Sequence, residues 1–179
     1  LCCRCFAVIM DYAVSGWRCF IPYLPFVMPD LTFLEQKTIF ITGASRGIGK
    51  SIALLFASRG YHTFLNCSSS VDELKKLRAY ITEKYHTPCT LVPGNVGNPD
   101  HVRAIYNKIY QECTHLDVLV NNAGISYINL LTDMTDEDWN RIIQTNLSSV
   151  FYCCRQAIPP MVSKRSGKII NISSMWGTS

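Results

Sequence analysis

The chain has 179 residues, 17 Lys and Arg against 13 Asp and Glu, a formal net charge of +4 and 48% hydrophobic residues. High hydrophobicity with little net charge excludes a disordered chain, and the length is that of a domain able to bury a core. The basic residues are scattered rather than striped, so no nucleic-acid partner is expected.

Residues 1–34 read as an atypical extension, non-native or poorly ordered, with Met28 as the expected start of translation. The stretch from Phe6 to Met28 is apolar, but Asp11, Arg18, Pro22 and Pro25 interrupt it. A spanning helix or a signal peptide does not tolerate that pattern. A membrane-associated leader is the alternative. Cys2, Cys3, Cys5 and Cys19 fall here, without a second CxxC or a nearby His, so no metal site is expected. Cys67, Cys89, Cys113, Cys153 and Cys154 sit among apolar neighbours and are expected to be reduced, mostly buried thiols.

Residues 35–179 alternate strand and helix patterns. Thr38 to Thr42 is a continuous β-branched and aromatic run, as in a strand covered on both faces. Ile48, Ile52, Leu55 and Phe56 follow at helical spacing as far as Gly60. His62 to Asn66 is a second strand, Val71 to Ile81 a second helix, and Thr90 to Val92 a third strand. Asn98 is placed to cap a third helix with Pro99 at its first position. Asp117 to Val120 is a fourth strand. Thr135 opens a long helix with Asp136, Glu137 and Asp138 in its first turn, and Pro159-Pro160 is expected to stop it at Ile158. Lys168 to Ile172 is a fifth strand. The alternation predicts an α/β fold: a Rossmann-like, doubly wound parallel sheet of about five strands in the order 3-2-1-4-5.

The strongest motif is Thr42-Gly43-Ala44-Ser45-Arg46-Gly47-Ile48-Gly49, between the first strand and the first helix. Gly43 permits a tight turn, Gly47 lets backbone approach a pyrophosphate, and Gly49 allows close helix–strand packing. The spacing is G-x-x-x-G-x-G rather than the usual G-x-G-x-x-G. A tight turn without a ligand remains open on this motif alone.

Context narrows the choice. The glycine loop, Asn121-Asn122-Ala123-Gly124 after the fourth strand, Asn146 in the long helix and Ile172-Ser173-Ser174 after the fifth occur in order. In these motifs the chain, from Lys37 to its last residue, resembles the short-chain dehydrogenase/reductase family. Within that family it is most similar to the 3-oxoacyl-carrier-protein reductases of bacterial fatty acid biosynthesis. The run Ser173-Ser174-Met175-Trp176-Gly177 also resembles relatives that reduce a 5-aminopentanoyl modification on elongation factor P.

The resemblance implies NADPH-dependent reduction of a ketone to an alcohol in the cytoplasm. It implies that the dinucleotide lies along Gly43, Ser45, Arg46, Gly47, Ile48 and Gly49, along Asn66, Cys67 and Ser68, along Asn95 and Val96, and along Asn122, Ala123 and Gly124. NADP(H) is expected over NAD because no acid follows the second strand before Asp72. Arg46 offers a cation, and Ser68 to Ser70 offer hydroxyls, to a 2′-phosphate. Asn95-Val96 departs from the family's usual Asp-Val, whose acid accepts from the adenine amino group.

The family's catalytic set is Asn–Ser–Tyr–Lys. Asn146 matches the Asn, which holds a water linking the Lys to solvent. Ser174 matches the Ser that stabilises the oxyanion, with Ser173 structural. The Tyr-x-x-x-Lys motif is expected just after Ser179, and Tyr152 is no substitute. The chain is therefore expected to be a fragment, itself inactive, that binds NADP(H) and folds poorly or associates. The parent is expected to be a homodimer or homotetramer. Its substrate is a small-molecule or carrier-bound ketone, and Lys164 and Arg165 could dock an acidic carrier protein.

Overall fold

The computed structural model describes residues 36–174. The expectations for residues 1–34, including Met28 and the first four cysteines, and for Met175 to Ser179 lie outside the described residues. Five parallel strands form one sheet: β1 (Thr38–Ile41), β2 (His62–Leu65), β3 (Cys89–Leu91), β4 (Val118–Asn121) and β5 (Lys168–Asn171). Their spatial order is β3-β2-β1-β4-β5, as the alternation predicts.

Alternation within each strand divides the core between the two faces. Ile39 and Ile41 of β1, with Leu65, Val118 and Val120, pack on one side against α1 (Gly47–Ala57) and α2 (Val71–Tyr85). Phe40, Phe64 and Leu119 point to the other side. There they meet α3 (Pro99–Glu112), with Phe40 edge-on to Tyr106 at 5.4 Å between ring centres. Asn98 caps α3 as expected: its Oδ1 accepts from the Asp100 and His101 N–H groups at 2.8 and 3.2 Å. β3 begins one residue earlier than its pattern suggests, and Val92 still donates to the Leu65 carbonyl at 2.9 Å.

The long helix differs from its expected form in two ways. It is three consecutive pieces: α4 (Asp136–Ile143), a π-helical stretch (Gln144–Ser148) and α5 (Ser149–Lys164). Nor does it stop at Ile158, because α5 runs through Pro159 and Pro160. A proline cannot donate to the carbonyl four residues back. The Gln156 carbonyl, which Pro160 leaves without its helical donor, accepts instead from the Tyr110 hydroxyl of α3 at 3.1 Å. One turn earlier on α3, the Tyr106 hydroxyl donates to the Cys153 carbonyl at 2.9 Å. These two bonds tie α5 to α3 and carry the helix past its prolines. At the other end, Thr135 caps α4 by accepting from the Asp138 N–H at 3.1 Å. The Asp138 carboxylate does not reach back to the Thr135 backbone; it accepts from the Thr135 hydroxyl at 3.1 Å.

The expectation of mostly buried thiols holds only for Cys67 and Cys153; Cys89, Cys113 and Cys154 are half-buried. Among the described residues, no helix is long and apolar enough to cross a membrane. No group of three or more His, Cys, Asp or Glu side chains there is arranged to hold a metal.

Candidate functional site

Strand connections leave β1 toward β2 and β3, whereas β4 and β5 build the opposite half of the sheet. Loops diverge at such a reversal, and a crevice opens at the carboxyl ends of the strands. It measures about 810 Å³ here. Gly43, Ser45, Arg46, Gly47 and Ile48 line it from the loop after β1. Asn66, Cys67 and Ser68 do so after β2, Asn95 and Val96 after β3, and Asn122, Ala123 and Gly124 after β4. One expected residue lies elsewhere. Gly49 is buried beneath the loop, where an added Cβ would meet the Gly43 carbonyl oxygen at 2.4 Å and Asn122 Nδ2 at 2.6 Å. Its place is in helix–sheet packing, not in the crevice wall.

The glycine loop is held by Asn122, whose Nδ2 donates to the Thr42 and Gly43 carbonyls at 2.9 and 3.0 Å. Thr42 Oγ1 accepts in return from the Asn122 and Ala123 N–H groups, each at 2.9 Å. Gly43 and Gly47 take φ of +62° and +55°, in the left-handed region that favours glycine. At Gly43 an added Cβ would also strike Ala123 Cα at 2.9 Å, whereas at Gly47 nothing lies within 4 Å. The loop is thus locked from below and open above. Arg46 occupies the N-cap of α1 without a side-chain cap bond, and the first turn of α1 carries no acid. An uncapped N-terminus directs backbone N–H groups and the positive end of the helix dipole outward. That is a seat for an anion, and a pyrophosphate fits it.

The wall after β2 is buried polar structure. Asn66 Nδ2 donates to the Val92 and Gly94 carbonyls at 2.9 and 3.0 Å, fastening the ends of β2 and β3 together. Burial pushes the Cys67 thiol above its ordinary pKa, against the Ser70 backbone N–H, so Cys67 contributes a neutral surface. Ser68 and Ser69 are exposed and line the same crevice as Arg46. Asp72, the next acid along the chain, pairs with Lys75 at 3.0 Å.

Asn146 lies in the π-helical stretch and does not line the crevice. Its Oδ1 accepts from the Ile125 N–H at 2.9 Å and its Nδ2 donates to the Ile125 carbonyl at 2.8 Å. It therefore clamps the segment that leaves β4. Ser174 follows β5 and is exposed; β5 is held beside β4 by a bond from Asn121 Nδ2 to Asn171 Oδ1 at 2.9 Å. Tyr152 lies on α5, half-buried beside Phe151, away from the crevice. Lys164 and Arg165 precede β5, at the amino ends of the strands and so away from the crevice at their carboxyl ends, and Lys164 Nζ contacts His115 Nε2. Arg141 and Thr145, one helical turn apart, also line the crevice and were not anticipated. Their spacing across the α4–π junction is the only sequence signal for them.

Comparison with known proteins adds the following. The short chain dehydrogenase family model matches residues 37–179. The 3-oxoacyl-[acyl-carrier-protein] reductase of Staphylococcus aureus is 42% identical over 141 residues, which cover 79% of this chain and 57% of the relative. The enzyme of the same name from Vibrio cholerae is 39% identical over 145 residues, 81% of this chain and 57% of that one. The chain thus spans a little over half the length of these curated relatives. Among solved structures, L-sorbose reductase from Gluconobacter frateurii, complexed with NADPH and L-sorbose, superposes with a TM-score of 0.75 at 30% identity. That match covers 79% of this chain and 53% of the other. A short-chain dehydrogenase from Sphingobium yanoikuyae in complex with NADPH gives 0.74 at 28% identity, over 80% and 55%.

Proposed function

This chain belongs to the short-chain dehydrogenase family, and from that premise we propose that its crevice holds NADP(H) in the service of ketone reduction, of the 3-oxoacyl thioester type. The observation that carries this is one crevice lined both by an exposed Arg46, at the uncapped N-terminus of α1, and by the exposed Ser68 and Ser69. Among the described residues, no carboxylate lines the crevice. An adenosine ribose seated at the end of β2 would bring its 2′-phosphate to that guanidinium and those hydroxyls. A carboxylate there would repel it.

The roles of the chain's own residues follow from position. The N–H groups of Gly47 and Ile48 would bind the pyrophosphate; Asn122 keeps the glycine loop in the shape that aims them. Small residues 122–124 let the dinucleotide lie against backbone. A nicotinamide bound there would supply a hydride to a carbonyl carbon, the proton that completes the alcohol coming from solvent or from an acid other than these residues. Ser174 donates a hydrogen bond to the carbonyl oxygen and stabilises its developing charge. Asn146, through Ile125, holds the segment after β4 against which the nicotinamide end lies.

The names of the relatives support a carrier-bound 3-oxoacyl substrate. Lys164 and Arg165 precede β5, at the far ends of the strands from the crevice, so a carrier docked on them would have to reach across the sheet to it. Self-association, as a dimer or tetramer, is supported by Leu147, Phe151 and Val162, which α5 and the turn before it leave exposed.

A titration with 2′,5′-ADP and with 5′-ADP tests the 2′-phosphate site without any turnover. The 2′-phosphorylated ligand is expected to bind at least about tenfold more tightly, as a charge-assisted contact with Arg46 warrants, and Arg46→Glu should erase that margin. Equal affinities in the unaltered chain would refute it.

A further inference from the structure

The crevice holds two polar seats of opposite construction. The glycine loop is pinned: Asn122 Nδ2 donates to the Thr42 and Gly43 carbonyls at 2.9 and 3.0 Å, which fixes the direction of the backbone N–H groups above them. The wall after β2 is pinned only as far as Asn66, whose Nδ2 donates to the Val92 and Gly94 carbonyls. Beyond Asn66 the polar groups are unfastened. Arg46, Ser68 and Ser69 are exposed crevice residues. Among the described residues, the Arg46 guanidinium and the two hydroxyls have no hydrogen-bond or ion-pair partner.

A fixed seat and an unfastened one select differently. Discrimination between neighbouring positions on a ligand needs side chains whose rotamers are held by surrounding bonds. A side chain without such bonds loses the same rotamer freedom at whichever position it meets a phosphate, so the position itself adds no cost. The 2′ and 3′ oxygens of a ribose sit on adjacent ring carbons. Arg46 presents a fork of N–H donors on a long stem, and Ser68 and Ser69 present hydroxyls from consecutive residues. Among the described residues, no acid lines the crevice to repel a phosphate at either position. What these groups specify is a diphosphate at the start of α1 and one further phosphate on the adenosine ribose. Two nucleotide ends meet that description: the 2′-phosphoadenosine diphosphate of NADP(H) and the 3′-phosphoadenosine diphosphate of coenzyme A.

We propose that the crevice accepts the 3′-phosphoadenosine diphosphate end of coenzyme A and its thioesters, and that these ligands compete there with NADP(H). The inference rests on the NADP(H) site proposed above. Calorimetric titration of the 179-residue chain with adenosine 2′,5′-bisphosphate and with adenosine 3′,5′-bisphosphate isolates the position of one phosphate. The two affinities are expected to agree within about threefold, a small free-energy difference. Arg46→Met should weaken both by a similar factor of about ten, the size of one charge-assisted contact. Displacement of NADPH, followed by its nicotinamide fluorescence, then compares coenzyme A with dephospho-coenzyme A, which lacks the 3′-phosphate. Coenzyme A is expected to displace NADPH at about tenfold lower concentration than the dephospho form. It should also act at lower concentration than adenosine 3′,5′-bisphosphate, whose single 5′-phosphate leaves the diphosphate seat half filled. A margin of about tenfold or more in favour of the 2′,5′-bisphosphate overturns the proposal. So does coenzyme A that leaves NADPH bound, a dephospho form that displaces it equally well, or an Arg46→Met loss confined to the 2′,5′-bisphosphate. If neither bisphosphate nor NADPH binds the unaltered chain, the NADP(H) site itself is refuted, a different and recognisable failure.

Discussion

β1 and β5 are both four-residue parallel strands built around isoleucine, Thr-Ile-Phe-Ile and Lys-Ile-Ile-Asn, yet one is wholly buried and the other largely exposed. β1 pairs with β2 and β4 and is covered on both faces. Among the described residues β5 pairs only with β4, and three of its four residues are exposed. Burial is therefore a property of a strand's neighbours more than of its own apolar content. The contrast also sorts function. The glycine loop hangs from the most constrained strand, as a preorganised anion seat requires. Ser174 hangs from the least constrained one.

The sharpest test of that contrast is truncation on each strand. Phe40→Ala removes a ring with no solvent exposure and should cost about 3–5 kcal/mol in urea unfolding. Ile170→Ala, at a side chain that is 40% exposed, should cost under about 1.5 kcal/mol. Equal losses would mean that β5 is buried in solution.

The same contrast runs across α5, which buries Cys153 and exposes Phe151. Burial pushes the Cys153 thiol from 9.0 up to about 12. A raised folded-state value keeps the native thiol protonated while the unfolded chain ionises, so its stabilising effect is whole below pH 9 and is lost as pH rises toward 12. Unfolding midpoints should fall across that range, by at most about 1.4 kcal/mol per pH unit from this group. Cys153→Ala should flatten the slope; an unchanged slope would assign it to other groups. The smallest effect belongs to the proline bypass. Tyr110→Phe removes the donor to the Gln156 carbonyl and should cost about 1 kcal/mol. A cost near zero would show that α5 passes Pro160 without help.

The strand order and the glycine loop were legible because β-branched runs, helical periodicity and turn glycines agree with one another there. The crevice walls followed, since they are strand ends and loops at fixed places in that order. What escaped was what depends on partners distant in the chain. The continuation of α5 past Pro160 depends on a hydroxyl 50 residues earlier, at Tyr110. The π-helical stretch at Asn146 depends on its grip on Ile125, 21 residues away. The motif itself marks Gly49 for helix–strand packing, but that its neighbours there are the Gly43 carbonyl and Asn122, 73 residues on, is invisible in a local motif. Arg141 was passed over for want of any local cue that its turn faces the crevice.

The central claim is that the Arg46 loop and the acid-free end of β2 select a 2′-phosphorylated dinucleotide. Nicotinamide fluorescence titration with NADPH and with NADH, on the unaltered chain and on Ser68→Asp, measures this selection. NADPH should bind about tenfold or more tighter than NADH to the unaltered chain, and the introduced carboxylate should reverse the order. Tighter binding of NADH by the unaltered chain, or an order that Ser68→Asp leaves in place, would contradict the account.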